Sequence, residues 1–108
     1  MEINKKDNIV IINKISDSLE DFAKMVNDSY HTLTENNIII DLSSEEIRPS
    51  SLIPFEELAQ HHISLRKSFV IVGNIDFDEI EDAMVVVPTL QEAFDIIQLD
   101  EIERDLGF

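Results

Sequence analysis

The feature that most constrains the fold of this chain is a set of short aliphatic runs that contain no polar residue. None of these runs shows the alternation of polar and apolar residues that a strand with one solvent-exposed face has. They are residues 38–40 (Ile-Ile-Ile), 69–72 (Phe-Val-Ile-Val) and 84–87 (Met-Val-Val-Val). Runs of this type are typical of parallel strands that are covered on both faces. The pattern therefore predicts an α/β fold with a mixed, mostly parallel sheet of about four or five strands.

Two segments with apolar residues at helical spacing separate these runs. Residues 19–33 carry their apolar side chains on one face, and residues 16–18 offer candidate caps before them. A second stripe, in residues 52–63, consists of Leu52, Phe55, Leu58, Ala59 and Ile63. Each segment predicts a helix that packs on the sheet.

A third helix is predicted near the carboxyl end. Thr89 and Glu92 form a capping box, in which the Thr side chain bonds the amide of Glu92 while the Glu side chain reaches back. The apolar phase slips at Leu99 and Ile102, which predicts a bend or restart near Gln98.

Weaker signals complete the order of elements. Residues 2–5 and 9–13 predict a hairpin around a polar break. Gly73 and Asn74 are predicted to end a strand, because both residues readily take a positive φ. Residues 76–82 predict a short helical turn or an acidic loop. The resulting order is ββαβαβαβα, and 108 residues without a linker predict a single domain spanning 1–108.

The charge of the chain limits its partners. Its formal net charge is −15, from 23 acidic against 8 basic residues. Repulsion from phosphates opposes direct binding to nucleic acid or to an anionic membrane. The chain has no cysteine, no apolar run long enough to cross a bilayer and no signal-peptide core, so we expect a cytoplasmic protein.

No residue pattern in the chain predicts catalysis. His61 and His62 are adjacent and project about 100° apart on a helix, so we expect one packed and one solvated histidine rather than a metal pair. The acidic residues 76–82 lack the spacing of a calcium loop. Gly73 and Gly107, the two glycines, cannot build a phosphate cradle. We therefore expect a protein that is not an enzyme and holds no metal or cofactor.

An acidic, serine-rich segment follows the first aliphatic run and precedes the second helix. Such a loop lies at the carboxyl end of a strand, where open α/β sheets collect their binding groups. We predict that residues 43–51 and the following helix bind a protein partner. The candidate partner-binding residues are Ser43, Ser44, Arg48, Ser50, Ser51, Glu56, Glu57 and Gln60.

The order of elements, together with Asp41-Leu42 and the later Ser50-Ser51, resembles the STAS domain family of bacterial anti-sigma factor antagonists. Pro49 and Leu52 stand where the family has Asp and Gly. The resemblance implies a regulatory module that docks an anti-sigma-factor-like kinase, which phosphorylates the position of Ser50. The residues themselves leave another role open, in which Ser50 or Ser51 caps the helix.

Two further functions stay open at the level of sequence. The tail, residues 101–108, resembles that of small STAS-like proteins associated with ribonuclease Z, which would make this chain an accessory protein of that nuclease. Alternatively, a small ligand binds between the serine segment and Gly73-Asn74. We expect a monomer, because Glu2, Lys5 and Lys6 discourage pairing at the edge of the first hairpin.

Overall fold

The computed structural model describes residues 1–15, 17–75 and 84–107. Its sheet consists of β1 (Glu2–Lys6), β2 (Ile9–Asn13), β3 (Asn37–Glu46), β4 (Phe69–Asn74) and β5 (Val85–Val87), which lie side by side in that order. β1 is antiparallel to β2, and every other neighbouring pair is parallel. The predicted α/β class and the mixed, mostly parallel sheet are confirmed. The predicted element at residues 76–82 lies outside the described residues.

Three helices accompany the sheet in the described part of the chain. They are α1 (Leu19–Ser29), α2 (Ile53–Ser64) and α3 (Leu90–Asp105), with single 3₁₀ turns at Tyr30–Thr32 and Pro49–Leu52. None of them is long and apolar enough to cross a membrane.

Alternate residues of the central strand face two separate layers. Ile38 and Ile40 join the core that α1 and α2 form on one face of the sheet, where the rings of Phe22 and Phe55 meet edge to face at 6.2 Å. Ile39 joins a smaller core beneath α3 on the opposite face. All three isoleucines are fully buried, which confirms the prediction of a strand covered on both faces.

The helix starts follow the predicted chemistry. The Ser18 hydroxyl accepts a hydrogen bond from the Asp21 amide and so caps α1. At α3 the Thr89 hydroxyl accepts from the Glu92 amide at 3.2 Å, as predicted. The Glu92 carboxylate accepts a bond from that same hydroxyl instead of reaching back to the Thr89 amide.

Three local predictions are wrong. α3 runs without a break through Gln98. β4 ends at Asn74 as predicted, but neither Gly73 nor Asn74 takes the predicted positive φ, which among the described residues occurs at Asp7, Arg66 and Gly107 instead. Residues 43–46, predicted as loop, continue β3 as a strand.

The α2 stripe also differs from its prediction by one position. Ile63 is exposed, and the buried position in the last turn belongs to His62. His61 is exposed, so the expected pair of one packed and one solvated histidine is confirmed.

Candidate functional site

The candidate site is residues 43–51, here called the serine arm, which comprises the last four residues of β3, a short connection and most of the 3₁₀ turn before α2. On one side, β3 pairs with β2 as far as Asp41 opposite Asn13. On the other side, the register passes from Asp41 opposite Val72 to Glu46 opposite Asn74. Residues 42–45 of β3 therefore lie against the single residue Gly73 of β4, which is an irregularity in the pairing of the two strands.

Gly73 is the residue of β4 that lies beneath this irregularity. A Cβ atom at Gly73 would collide with the Cδ1 atom of Ile47, whose side chain folds back over the glycine. Leu42 and Ile47 are both buried and fix the two ends of the irregular segment in the core. Gly73 is thus needed for its missing side chain, and not for the positive φ that the sequence predicted.

Two polar contacts hold the first half of the arm. The Asp41 carboxylate accepts hydrogen bonds from the Ser43 amide at 3.0 Å and from the Ser43 hydroxyl at 2.6 Å. The Lys14 ammonium donates to the Glu45 carboxylate at 2.5 Å, and the Lys14 side chain is only 6% exposed. This pair of a nearly buried ammonium and a half-buried carboxylate links the first half of the arm to the residue that follows β2.

The second half of the arm is a 3₁₀ turn that leads directly into α2. The Ser51 hydroxyl accepts from the Arg48 amide at 3.1 Å, while the Ser51 amide donates to the Arg48 carbonyl at 2.8 Å. Ser51 therefore closes the turn, and the buried Leu52 anchors it to the core. Ser50 lies between Arg48 and Ser51 in this turn, and its side chain is exposed.

Most of the predicted partner-binding residues are accessible to solvent. Ser43, Ser44, Arg48, Ser50, Glu57 and Gln60 are exposed, and Ser51 and Glu56 are half-buried. Sequence reasoning missed Ile53, whose side chain is 60% exposed at the first position of α2. The signal was present in the spacing, because Ile53 lies about 100° around the helix from the buried Leu52.

A buried polar cluster joins α2 to the end of the first helical segment. The Tyr30 hydroxyl lies 2.7 Å from Nδ1 of His62, and Nε2 of His62 lies 2.7 Å from the Asn36 carbonyl oxygen. A carbonyl oxygen can only accept, so Nε2 carries the proton and Nδ1 accepts from Tyr30. Burial lowers the pKa of His62 and raises that of Tyr30. These contacts make His62 a neutral structural residue.

A second polar cluster lies at the amino ends of the parallel strands. The buried Ser68 hydroxyl donates to Asp100 at 2.6 Å and accepts from Arg104 at 2.7 Å. The Asn37 side chain donates to Glu101 at 2.7 Å and accepts from the Ser68 amide at 2.8 Å. These bonds fix the last turns of α3 to the sheet.

Two clefts formed by described residues lie away from the serine arm. One, of about 370 Å³, opens beside Ser68 and Arg104, and the other, of about 420 Å³, lies between β5 and α3. In the described ranges, 1–15, 17–75 and 84–107, no three His, Asp or Glu side chains are grouped so that they could hold a metal ion. The predicted acidic segment 76–82 lies outside those ranges.

Comparison with known proteins does not identify a family for this chain. No protein-family model matches the chain, and no curated protein sequence matches it.

Proposed function

We propose that the protein is a non-enzymatic regulatory module that docks a protein partner through the serine arm and the exposed side of α2. One observation carries the proposal: a segment anchored by the buried Leu42, Ile47 and Leu52 presents exposed serine hydroxyl groups and leads directly to the exposed Ile53. A surface of this kind is ordered before binding, so association costs little conformational entropy.

The chemistry of the surface is that of a protein interface. Ile53 supplies an exposed apolar side chain of the kind that a partner pocket buries, and the exposed serine hydroxyls can both donate and accept hydrogen bonds. Arg48 and Glu57 place opposite charges at the rim, where charge sets orientation and association rate more than affinity. This composition supports recognition of a folded protein surface.

We extend the proposal to regulation at Ser50. The STAS-like order of Asp41-Leu42 and Ser50-Ser51 supports a role in which a bacterial, cytoplasmic kinase docks on the arm and phosphorylates Ser50. The Ser50 side chain is exposed, whereas Ser51 is occupied by closing the turn. A phosphate would add nearly two negative charges beside Ile53 and so oppose docking of an apolar partner pocket.

Site-specific photo-crosslinking in cells that produce the protein tests the docking surface. A benzophenone amino acid is placed at Ser44, Ser50 or Gln60 in three separate variants, and at Asn4 on β1 as a control. We expect all three positions to capture one and the same protein and Asn4 to miss it. Capture of unrelated proteins from the three positions, or the same protein from Asn4, would contradict the proposal.

A point substitution then separates specific docking from mere proximity. Ile53→Asp should lower the cross-linked yield from Gln60 by about tenfold or more, because it places a charge where the partner needs an apolar contact. Ile15→Asp, at an equally exposed isoleucine outside the arm, should leave the yield unchanged. Equal losses in both variants would assign the effect to folding or to total charge.

A further inference from the structure

Helix α3 presents one continuous inward side whose chemistry changes along its length. In the first half this side is apolar, with Ala93 and Ile97 buried against the sheet. In the last turns it is polar, because Glu101 accepts from Asn37 and Arg104 donates to Ser68 at the amino edge of the strands. The helix keeps its orientation while its sheet-facing residues turn from apolar to polar.

The apolar residues of the last turns consequently face away from the sheet. Leu99, Ile102 and Leu106 are 59%, 48% and 67% exposed. Leu99 and Ile102 lie about 200° and 140° around α3 from the buried Ile97, and Leu106 is the C-cap residue directly after the helix, so the row is about 10 Å long. This row, here called the outer stripe, is the physical origin of the phase slip in the sequence.

The outer stripe continues into an apolar cleft. Leu99 also lines the cleft of about 420 Å³ between α3 and the edge strand β5, together with Val87 and Ile96. Stripe and cleft form one apolar surface on the sheet face opposite to α1 and α2. That surface is separate from the serine arm.

The charged side chains of α3 that border this surface are acidic. Glu92 and Asp95 border the cleft, while Glu103 and Asp105 neighbour the stripe along the helix. The single basic residue of α3, Arg104, is held by Ser68 on the inward side. An apolar row with an acidic rim is complementary to an apolar row with a basic rim.

We propose that the outer stripe and its cleft dock an amphipathic helix of a partner protein, with leucine-like residues on one side and Lys or Arg flanking them. A row spaced along a helix axis packs well against a second helix, whose own apolar residues recur every three or four positions. A second copy of this chain fits poorly, because pairing two outer stripes would bring their acidic rims together. Each molecule also carries a net charge of −15, so the two copies would repel one another.

A model peptide tests the chemistry of the surface directly. The probe is a synthetic helical peptide of about 18 Leu and Lys residues with the leucines on one side, and its matched control carries Glu in place of every Lys. Binding to the full chain is measured by fluorescence anisotropy at about 0.15 M salt. We expect the Lys peptide to bind and the Glu peptide to bind at least about tenfold more weakly.

Substitutions assign that binding to the stripe. The variant Leu99→Gln/Ile102→Gln/Leu106→Gln keeps good helix formers at exposed positions, and we expect it to bind the Lys peptide at least about tenfold more weakly. The control Ile3→Gln/Ile15→Gln removes two exposed apolar residues outside α3 and should change affinity by less than about twofold. Leu99→Gln alone, which disturbs the helix least, should lower affinity in the same direction.

Four outcomes would overturn the proposal. They are no binding of the Lys peptide to the natural chain, equal binding of the two peptides, unchanged binding by the triple variant, and a dimer in sedimentation equilibrium that the triple variant abolishes. The last would make a second copy the occupant. None of these results bears on capture by the serine arm, so the two proposals fail independently.

Discussion

At the scale of single residues, His62 and Gly73 connect segments that are distant in the sequence. The two ring nitrogens of His62 bond Tyr30 and Asn36, which both precede α2. Gly73 in β4 makes room for the side chain of Ile47, which follows β3. Both roles depend on contacts between segments that meet only in the folded protein, so local propensity cannot predict them.

The first prediction concerns His62 and acid. In the unfolded chain this histidine takes a proton below about pH 6.5, while in the folded protein burial lowers its pKa. The unfolded state then binds more protons, so His62 stabilises the fold fully above about pH 6.5 and progressively less as the pH falls below it. Urea unfolding at several pH values between about 7.5 and 5 should show this loss.

Substitution identifies the histidine that is responsible. His62→Gln should lower stability at neutral pH and flatten the pH dependence, because glutamine does not titrate. His61→Gln, at the exposed neighbour, should leave both the stability and its pH slope nearly unchanged. An unaltered slope in His62→Gln would show that other groups cause the acid sensitivity.

The second prediction concerns the contact between Gly73 and Ile47. Gly73→Ala should lower the free energy of unfolding by about 1–3 kcal/mol, because the new methyl group overlaps Cδ1 of Ile47. Ile47→Val removes that atom and should cost about 0.5–1.5 kcal/mol alone.

The double variant tests the stated cause. Gly73→Ala/Ile47→Val should be more stable than the sum of the two single effects predicts, since the valine leaves space for the alanine methyl group. Chemical denaturation of all four proteins provides this comparison. Strict additivity would mean that the cost of Gly73→Ala has another origin, such as altered pairing of β4.

At the scale of elements, hydrophobic periodicity predicted which elements exist better than where their faces point. The unalternating run 38–40 correctly predicted a doubly covered strand, and Thr89 correctly predicted the start of α3. The shift in apolar spacing at Leu99 predicts a bend only if every apolar residue of the helix faces the core. The inward side instead becomes polar to match Asn37 and Ser68, which the sequence of α3 alone does not reveal.

The third prediction tests this polar attachment of α3. Glu101→Ala removes the carboxylate that accepts from Asn37 and Asn8, and leaves the buried Asn37 amide without that partner. We expect a loss of about 1–3 kcal/mol in the free energy of unfolding. Hydrogen exchange should also become faster in the last turns of α3 than in its first turns.

Glu103→Ala is the matched control, because Glu103 lies two positions away with an exposed side chain. It should change stability by less than about 0.5 kcal/mol. Similar losses in the two variants would indicate that helix propensity or total charge, and not the bond to Asn37, fixes the end of the helix.

At the scale of the whole molecule, the two candidate docking surfaces differ in the charges that they carry. The serine arm includes Arg48, and Lys14 neutralises Glu45 at its base, so this surface carries both signs. The outer stripe has an acidic rim, and Arg104 is held on the inward side of the helix. The net charge predicted that nucleic acid is a poor partner, but only the folded positions of these side chains distinguish the two surfaces.

The fourth prediction follows from the net charge of −15 on a compact domain. Carboxylates that are dispersed in the unfolded chain are brought together by folding, so their mutual repulsion lowers stability. Raising NaCl from about 0.02 to 0.3 M shortens the screening length and should raise the free energy of unfolding by about 1 kcal/mol or more.

A variant with Asp28→Asn, Glu35→Gln and Asp105→Asn, all exposed positions, should be more stable at low salt and should respond less to added salt. If stability instead falls as NaCl is added, attractive pairs such as Lys14–Glu45 outweigh the repulsion between carboxylates. A basic partner would then not be needed to relieve that repulsion.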